Sequence, residues 1–382
     1  MMKSKKILFD GRFLSLFHAG IGRYSNELLK SLLKLDKTQK YTLLVLSKTD
    51  PDRELLRALN ERDEPAEVIE TSARHYSFAE QTAFLSLIKK IRPDLVHFPH
   101  FNHPLLYRGD FVVTIHDLTL SNYSERGNFI KRFIYKKVIN SATQKSKKIF
   151  TVSNYVKSQL IKDFSLPIDK VIVTYNGIDS KFTKITNPKT LERSEHYGLK
   201  GPYVLSVGQW RSHKNLLRLV EAFKKAVEKT QKYPNLKLAF VGRKEDKYPQ
   251  LEEKIKTLGI RDKVVFTGFV KDEDLPIIYN NATVFVFASM SEGFGLPGLE
   301  AQACGIPIIS SNRTALPEVY GKGAIYFDPS NITDIAQKMI KVIEDKKLQD
   351  KLKKLGIQNA KKYSWEATAQ KTLAVYRELL YK

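Results

Sequence analysis

The sequence contains little cysteine, fewer acidic than basic residues and no long apolar run. Cys304 is the single cysteine among 382 residues, which excludes an internal disulfide and favours a reducing compartment. No apolar run reaches the roughly 20 residues that a membrane-spanning helix needs. The N-terminal apolar stretch, residues 7–9, is too short for the core of a signal peptide. We therefore expect a cytoplasmic chain, and we interpret Cys304 as a small buried residue near a helix end.

Acidic residues are outnumbered by basic ones, 41 to 64, which gives a formal charge of +23. The excess is spread along the chain, because residues 1–200 carry 34 Lys and Arg against 21 Asp and Glu and the remainder carry 30 against 20. Such a charge favours anionic partners, namely phosphorylated ligands, anionic lipid surfaces or nucleic acid. Charge alone does not choose among the three.

The chain does contain a regular alternation of short β-branched runs and amphipathic helical stretches. Predicted strands lie at 6–10, 41–46, 94–98, 111–115, 148–152 and 170–175, and then at 203–208, 236–242, 263–269, 283–289 and 306–310. A polar stretch at about 180–200 separates the two series. This alternation predicts parallel, doubly wound sheets, and the length suits two α/β Rossmann-like domains. Such sheets bind ligands at the carboxyl ends of their strands.

The stretch SEGFGLPGLEAQACGIPII, residues 291–309, follows one of these strands and places two acids around a helix start. Pro297 suits the first helical position, and Gly305 suits the position just past the helix end. Backbone N–H groups at such a helix start favour an anion or a sugar hydroxyl. The carboxylates of Glu292 and Glu300 could accept hydrogen bonds from the hydroxyls of a polyol. The alternative is a strand–turn–helix whose acids only cap and solvate it.

Two further strand ends carry residues suited to phosphate. Arg211 and Lys214 follow the strand at 203–208, where a cation could contact a diphosphate and counter the charge that develops on a leaving group. Arg211 could instead be a solvated loop charge. Gly20 and Gly22 stand between the first predicted strand and its helix, where small residues let the backbone approach a phosphate.

The residues EGFGLPGLEAQACGIPII resemble the E-x7-E region of the family 4 retaining glycosyltransferases, which have the GT-B fold. Further matches follow in the family's order: GIGRYSNELL at 20–29, TIHD at 114–117, TVSNY at 151–155, YNGID at 175–179, VGQWRSHKN at 207–215, VFTGFV at 265–270 and SWE at 364–366. The resemblance implies two Rossmann-like domains that face each other across a cleft. We place an acceptor-side domain at 1–190, a nucleotide-sugar domain at 191–365 and a C-terminal helix at 366–382 that packs back on the first domain.

The resemblance also implies roles for individual residues. Glu300 should bind the ribose hydroxyls of a nucleoside diphosphate sugar, and Glu292 should face the donor sugar. Lys214 stands where the family has a lysine; the family's neighbouring arginine is His213 here, so Arg211 is expected to replace it. The remaining positions implied to contact the donor are Gly20, Gly22, His116 beside the transferred sugar, Phe269 and Val270 at the nucleobase, and the backbone of Phe294, Gly295 and Leu296.

His97, His100 and His103 could suggest a metal site. Their i, i+3, i+6 spacing lacks Cys or acid partners, and prolines at 99 and 104 break helical geometry. We therefore expect them to line the acceptor side rather than to bind a metal. The two D-x-D matches, at 50–52 and 272–274, are interpreted as turn and cap acids. These observations predict a metal-independent enzyme.

Residues 127–148 form a basic amphipathic helical pattern. Phe129, Phe133 and Ile134 could share a face, and the basic residues that flank it are Lys131, Arg132, Lys136 and Lys137. Such a helix could lie on an anionic membrane. The alternative, which we favour, is a helix packed on the first sheet with a solvated basic side.

The sequence as a whole predicts a cytoplasmic retaining hexosyltransferase that uses no cofactor beyond its nucleoside diphosphate sugar, with a glycan or lipid-linked acceptor. GIGRY and EGFGLPGLE are similar to mannosyltransferases of surface polysaccharide pathways, so GDP-mannose is the first expectation for the donor and UDP-glucose the second. A sugar-nucleotide 2-epimerase of the same fold is the enzymatic alternative. A non-catalytic protein that binds an anionic surface or nucleic acid is the other, although no base-stacking or groove-reading motif supports nucleic acid.

Overall fold

The computed structural model describes residues 4–14, 19–62, 64–118, 129–187, 192–242 and 249–381. The chain divides into two compact units, the first formed by residues 1–177 with 364–382 and the second by residues 178–363. The first unit thus ends at Gly177, earlier than the boundary near 190 that the polar stretch suggests. Each unit contains its own parallel sheet.

The first unit has a seven-stranded parallel sheet in the order β3-β2-β1-β4-β5-β6-β7. The strands are β1 (Lys6–Asp10), β2 (Lys40–Val45), β3 (Glu67–Glu70), β4 (Leu95–Phe98), β5 (Phe111–Ile115), β6 (Lys148–Thr151) and β7 (Val171–Val173). The helices are α1 (Ala19–Leu35), α2 (Arg53–Asn60), α3 (Leu85–Ile91), α4 (Phe129–Lys145) and α5 (Asn154–Phe164). Both faces of the sheet are covered, because each of the two faces packs a separate cluster of buried apolar side chains against these helices.

The second unit has a six-stranded parallel sheet in the order β10-β9-β8-β11-β12-β13. The strands are β8 (Tyr203–Val207), β9 (Lys237–Val241), β10 (Val264–Gly268), β11 (Val284–Phe287), β12 (Ile308–Ser311) and β13 (Ala324–Phe327). The helices are α6 (Leu216–Val227), α7 (Gln250–Thr257), α8 (Leu275–Asn281), α9 (Leu296–Ala303), α10 (Leu316–Tyr320), α11 (Ile332–Glu344) and α12 (Lys346–Ala360). The prediction of two doubly wound parallel sheets is therefore confirmed.

Two strands escaped the sequence analysis, and both lie at sheet edges. β3 and β13 have four residues each and occupy the outer positions of their sheets. Half of the residues of β13 and none of those of β3 are fully buried. β3 (EVIE) begins and ends with a glutamate, and β13 (AIYF) is an apolar run of only four residues, whose periodicity does not separate a strand from a buried helix segment.

The last helix, α13 (Trp365–Tyr381), packs within the first unit. Its apolar side chains join the buried cluster that covers one face of the first sheet. Ser364 caps its N-terminus as the sequence predicts, with Oγ accepting a hydrogen bond from the backbone N–H of Ala367 at 3.1 Å. The chain before this helix runs close to the end of the earlier segment, because a Cβ on Gly177 would overlap the backbone of Ser364 and Trp365.

The first unit also buries a complete ionic network. The guanidinium of Arg12 contacts Asp10 at 2.8 Å and Glu80 at 2.7 Å, and all three side chains are almost fully buried. Asn102 donates to Glu80 at 2.7 Å. The network satisfies the charges that burial would otherwise leave uncompensated. Among the described residues, no helix is both long and apolar enough to cross a membrane.

We predict that Gly177→Ala destabilises the first unit by about 1–3 kcal/mol, the usual cost of overpacking. The overlap is with backbone atoms, which cannot rotate away as a side chain can. Urea unfolding monitored by circular dichroism measures the change. Gly20→Ala is the control, because a Cβ there meets nothing within 4 Å. Equal midpoints for the two variants would show that the chain at Gly177 moves aside freely.

Candidate functional site

The loops after β8 and β11 meet at the carboxyl edge of the second sheet. β8 and β11 are neighbours in the sheet and are parallel, and the strand order reverses between them. Open α/β sheets bind ligands at this topological switch point. The geometry of these two loops therefore defines the candidate site.

An ion pair joins the two loops. Lys214 Nζ lies 2.5 Å from Glu292 Oε1, and the two side chains are 17% and 15% exposed. This exposure leaves part of each group open to a ligand. Lys214 Nζ also lies 5.1 Å from the centre of the Phe287 ring, and it lines a recess with Gly208, Gln209 and Ser289. The sequence-predicted Lys214 and Glu292 are thus brought into direct contact.

Backbone contacts fix the relative position of these loops. The N–H of Met290 donates to the carbonyl of His213 at 2.7 Å, which ties the segment after β11 to the turn that carries Lys214. The N–H of Glu292 donates to Thr314 Oγ1 at 3.1 Å. Glu292 is therefore held both through its side chain, by Lys214, and through its backbone, by Thr314.

Glycine forms the backbone beside this site at two adjacent strand ends. Gly208 and Gly242 follow β8 and β9 and have φ angles of +148° and +142°, which L side chains rarely adopt. A Cβ on Gly242 would overlap the carbonyl of Gly208. The two chain segments can therefore approach closely only without side chains, and the backbone stays accessible to a ligand.

The loop before α9 ends at a helix N-terminus, as the sequence predicts. Gly295 has φ +92° and precedes Leu296, the first residue of the helix. Tyr320 Oη donates to the carbonyl of Gly295 at 2.6 Å. Phe294 is buried and packs edge-on against Tyr363, so its side chain belongs to the core and only its backbone can serve a ligand.

Glu300 lies inside α9 and is 3% exposed. Its Oε2 accepts a hydrogen bond from Tyr279 Oη at 2.8 Å. Tyr279 is completely buried in α8. This hydrogen bond fixes the direction of the carboxylate.

Three predicted residues lie elsewhere on the same edge of the second unit. Arg211 is exposed and precedes the short turn Ser212–Lys214, whose last residue donates its N–H to the Arg211 carbonyl at 2.9 Å. Phe269 is 68% exposed and Val270 is half-buried. Both directly follow β10, at the outer edge of the sheet. The prediction that these residues follow strand ends is therefore correct, while their contacts with a ligand stay a prediction.

In the first unit, Gly20 and Gly22 are not in a loop before the helix, because α1 already begins at Ala19. The expected position is wrong by one helical turn: both glycines lie in the first turn of α1. Gly20 is exposed and Gly22 is buried. The backbone at Gly20 is thus the more open part of this helix start.

His116 directly follows β5 and is largely enclosed. Its Nε2 donates to the carbonyl of Pro99 at 2.8 Å, and its ring packs edge-on against Tyr24 at 4.6 Å between centroids. Burial lowers the pKa of His116, and the hydrogen bond to Pro99 and the charge of Asp117 oppose that shift. The lowered pKa favours a neutral imidazole at pH 7.

The histidines at 97, 100 and 103 are buried within the first unit. His97 lies between Tyr376 Oη at 2.5 Å and Thr114 Oγ1 at 2.8 Å, and burial lowers its pKa to about 3. His103 contacts Ser141 Oγ at 3.1 Å, and burial lowers its pKa to about 4. The expectation that these residues line the acceptor side stays a prediction, and the complete burial of His97 and His103 leaves their side chains no surface for direct contact with an acceptor. The described part of the chain holds no cluster of three or more His, Cys, Asp or Glu suited to a metal ion.

Sequence reasoning missed two residues that shape this site. Asn215 follows Lys214 in the left-handed conformation, with φ +61°, and its buried side chain bonds to two distant carbonyls. An asparagine at the end of a cation-rich turn was the available signal, since Asn tolerates positive φ. Tyr279 gave no signal, because an aromatic residue in an apolar helix reads as core.

Comparison with known proteins places the chain in a family. The model of the glycosyl transferases group 1 matches residues 189–359, and the model of glycosyltransferase family 4 matches residues 18–182. The O-antigen chain mannosyltransferase B of Escherichia coli is 29% identical over 98% of this chain and 100% of that protein. An uncharacterized glycosyltransferase of Methanocaldococcus jannaschii is 30% identical over 74% of this chain and 73% of that protein.

The sucrose-phosphate synthase of Thermosynechococcus elongatus has the same fold, with a TM-score of 0.79 over 98% of this chain and 99% of that one at 18% identity. The two family models follow one another along the chain, as the motifs quoted from the sequence do. The prediction of family, fold and reaction class is therefore confirmed. This chain belongs to the family 4 glycosyltransferases, has their GT-B fold and is a hexosyltransferase.

Proposed function

We propose that the protein is a retaining mannosyltransferase that moves mannose from GDP-mannose to a glycan or lipid-linked acceptor. The observation that carries the proposal is the Lys214–Glu292 pair at the topological switch point of the second sheet. The full-length similarity to an O-antigen chain mannosyltransferase supports mannose as the sugar. UDP-glucose is the second donor candidate.

In the second unit, the donor would bind with its diphosphate near Lys214 and the start of α9. The helix start offers backbone N–H groups at Gly295 and Leu296 to an anion. Glu292 would face the sugar, because its carboxylate is partly exposed beside the cation. Glu300 would accept hydrogen bonds from the ribose, with Tyr279 holding its carboxylate.

For the other predicted residues we propose supporting roles. Arg211 would assist Lys214 at the diphosphate, and the backbone at Phe269 and Val270 would contact the nucleobase. For the first unit we propose that His116 meets the transferred sugar as a neutral imidazole. We also propose that the helix start at Gly20 and Gly22 meets a phosphate.

Transfer requires the glycosidic bond to the diphosphate to break while the acceptor hydroxyl attacks the same face of the sugar. The leaving diphosphate gains negative charge as this bond breaks, and Lys214 would stabilise that charge. An oxygen of the leaving diphosphate would take the acceptor's proton. We propose no covalent intermediate, because the sequence offers no side chain as an evident nucleophile.

A lipid-linked acceptor would bring the protein to a membrane. One surface of the first unit has the composition that suits contact with an anionic membrane. Helix α4 buries Val138 and Ile139 in the core, as the sequence analysis favours. Phe133 and Ile134 are nevertheless 61% and 53% exposed. Phe129 was expected to share this face, but its side chain lies outside the described residues.

Charge complements these exposed apolar side chains. Lys136 and Lys137 are exposed beside them, and α4 contains no acidic residue. Tyr76 is also 60% exposed, and a series of ring contacts through the buried His100 and Phe101 connects it to Tyr135 of α4. Apolar side chains flanked by lysines fit the interface of an anionic bilayer. We propose that this surface contacts anionic lipid.

The reaction is tested with GDP-mannose and UDP-glucose, each with and without a mannose-containing acceptor. We expect GDP-mannose to raise the melting temperature more than UDP-glucose at equal concentration, and NMR to show a product with the donor's anomeric configuration. Turnover of a sugar nucleotide to its 2-epimer without acceptor would make the protein an epimerase. A larger shift with UDP-glucose would overturn the choice of donor alone.

Lys214→Ala should lower kcat by roughly a hundredfold, equivalent to about 3 kcal/mol, because the charge that Lys214 contacts grows toward the transition state. The donor KM should change less. Lys214→Arg should recover part of the rate, since a planar guanidinium does not occupy the place of a compact ammonium. Steady-state kinetics at saturating donor measure these values.

The matched control is Lys254→Ala. Lys254 pairs with Glu221 at 2.6 Å in the same unit, on helices rather than at a strand end. The Lys254→Ala variant should transfer sugar at the wild-type rate. If Lys214→Ala also does so, Lys214 is not part of the site.

Lipid contact is tested by sedimentation with vesicles of phosphatidylglycerol and phosphatidylcholine at low salt. Lys136→Glu with Lys137→Glu should abolish binding, since each basic residue near an anionic surface contributes on the order of 1 kcal/mol, and GDP-mannose affinity should stay unchanged. Ile168→Ser is the control, because Ile168 is 71% exposed but precedes β7, whereas Phe133 and Ile134 lie in the helix that follows the carboxyl end of β5, and the two strands are oriented alike. Wild-type protein that stays in the supernatant would refute the proposal.

A further inference from the structure

The side chain of Asn215 connects three separate segments of the second unit. Its Nδ2 donates to the carbonyl of Ala288 at 3.1 Å and to that of Pro329 at 2.7 Å. Its Oδ1 accepts from Arg218 Nη1 at 3.0 Å. The residue is 4% exposed. All the hydrogen-bonding capacity of the amide nitrogen is therefore used to join the turn after β8 to the segments after β11 and β13.

The backbone of Asn215 makes an equally specific demand. Its φ of +61° and ψ of +32° are left-handed, a conformation that Asn and Gly adopt more readily than other residues. Glycine would allow the backbone but supply no side-chain donor. Aspartate would keep the acceptor for Arg218 but would place a negative charge against two carbonyl oxygens. Among the common residues, asparagine alone meets both demands.

The segments that Asn215 joins are those that carry the ion pair. Lys214 immediately precedes Asn215, and helix α6 begins immediately after it, with the N–H of Leu219 donating to the Asn215 carbonyl at 3.2 Å. Ala288 begins the segment that leads to Glu292. A shift of this turn would therefore move Lys214 relative to Glu292, while the helix behind it stayed in place.

We infer that Asn215 is a positioning residue that fixes Lys214 against the Glu292 loop, so that the ammonium is in place before a diphosphate arrives. The inference rests on the proposed role of Lys214. Asn215 does not itself reach the ligand, because its amide is occupied by Ala288, Pro329 and Arg218. Its contribution to the rate passes through the position of the lysine. Preorganised charge is effective because nothing has to be rearranged during the reaction.

The test compares Asn215→Asp with Asn359→Asp. Asn359 is buried in the same unit, and its Nδ2 donates to Gln302 Oε1 at 2.9 Å and to the carbonyl of Val319 at 2.8 Å. Both changes remove two buried donor contacts, so both should lower the melting temperature. Only Asn215→Asp should lower kcat, by roughly ten- to a hundredfold, with a smaller change in donor KM. Assays are run below both melting transitions.

A double-mutant cycle separates positioning from general damage. In a Lys214→Ala background, Asn215→Asp should lower kcat no further, because the group it positions is gone. If Asn215→Asp lowers kcat as much in the Lys214→Ala background as in the wild type, the inference is wrong and the proposed role of Lys214 stands. If Lys214→Ala itself turns over at the wild-type rate, both the inference about Asn215 and the proposed role of Lys214 are wrong. If Asn215→Asp does not fold, Asn215→Gly gives the same comparison, since glycine keeps the left-handed backbone without strain.

Discussion

The ion pair between Lys214 and Glu292 is the contact on which the second unit's site depends. Each side chain is mostly buried, and a buried charge needs a partner whose geometry is fixed. The two strands behind the pair supply that geometry, because β8 and β11 are adjacent and parallel and end at the same edge. The partial exposure of the pair matters equally, because it leaves the lysine a side that faces solvent, where the proposed diphosphate would approach.

The first unit also buries charged side chains, but it encloses them in a network. Asp10 ends β1, and Arg12 follows it into a closed network with Glu80 and Asn102. These side chains are almost fully buried, so the network has little surface on which to meet a ligand. A closed network fixes the loop after β1, whereas a partly open pair keeps a surface on which the proposed ligand would bind. The burial of two charge clusters of similar composition thus distinguishes a structural role from a proposed functional one.

The sequence predicted those features that depend on local pattern. Central strands with continuous apolar runs, the helix start at Gly295 and the cap at Ser364 all follow from neighbouring residues. The edge strands β3 and β13 did not, because EVIE has a glutamate at each end and the periodicity of the short apolar run AIYF does not separate strand from helix. The contacts of Asn215 with Ala288 and Pro329, and of Tyr279 with Glu300, join residues far apart in the chain. Such partners are chosen by the assembled sheet, and a motif shows only one member of each pair.

The two acids of the E-x7-E stretch end in different environments, and this difference argues for different tasks. Glu300 is 3% exposed and is held by the hydroxyl of a buried tyrosine, a neutral donor that fixes direction without cancelling charge. Glu292 is held by a cation in a more open loop. A carboxylate with a fixed direction suits recognition of a rigid diol such as a ribose. A carboxylate paired with a lysine changes its surroundings whenever the lysine meets an anion, so the proposed diphosphate would affect Glu292 directly through Lys214, whereas the hydroxyl that donates to Glu300 is neutral.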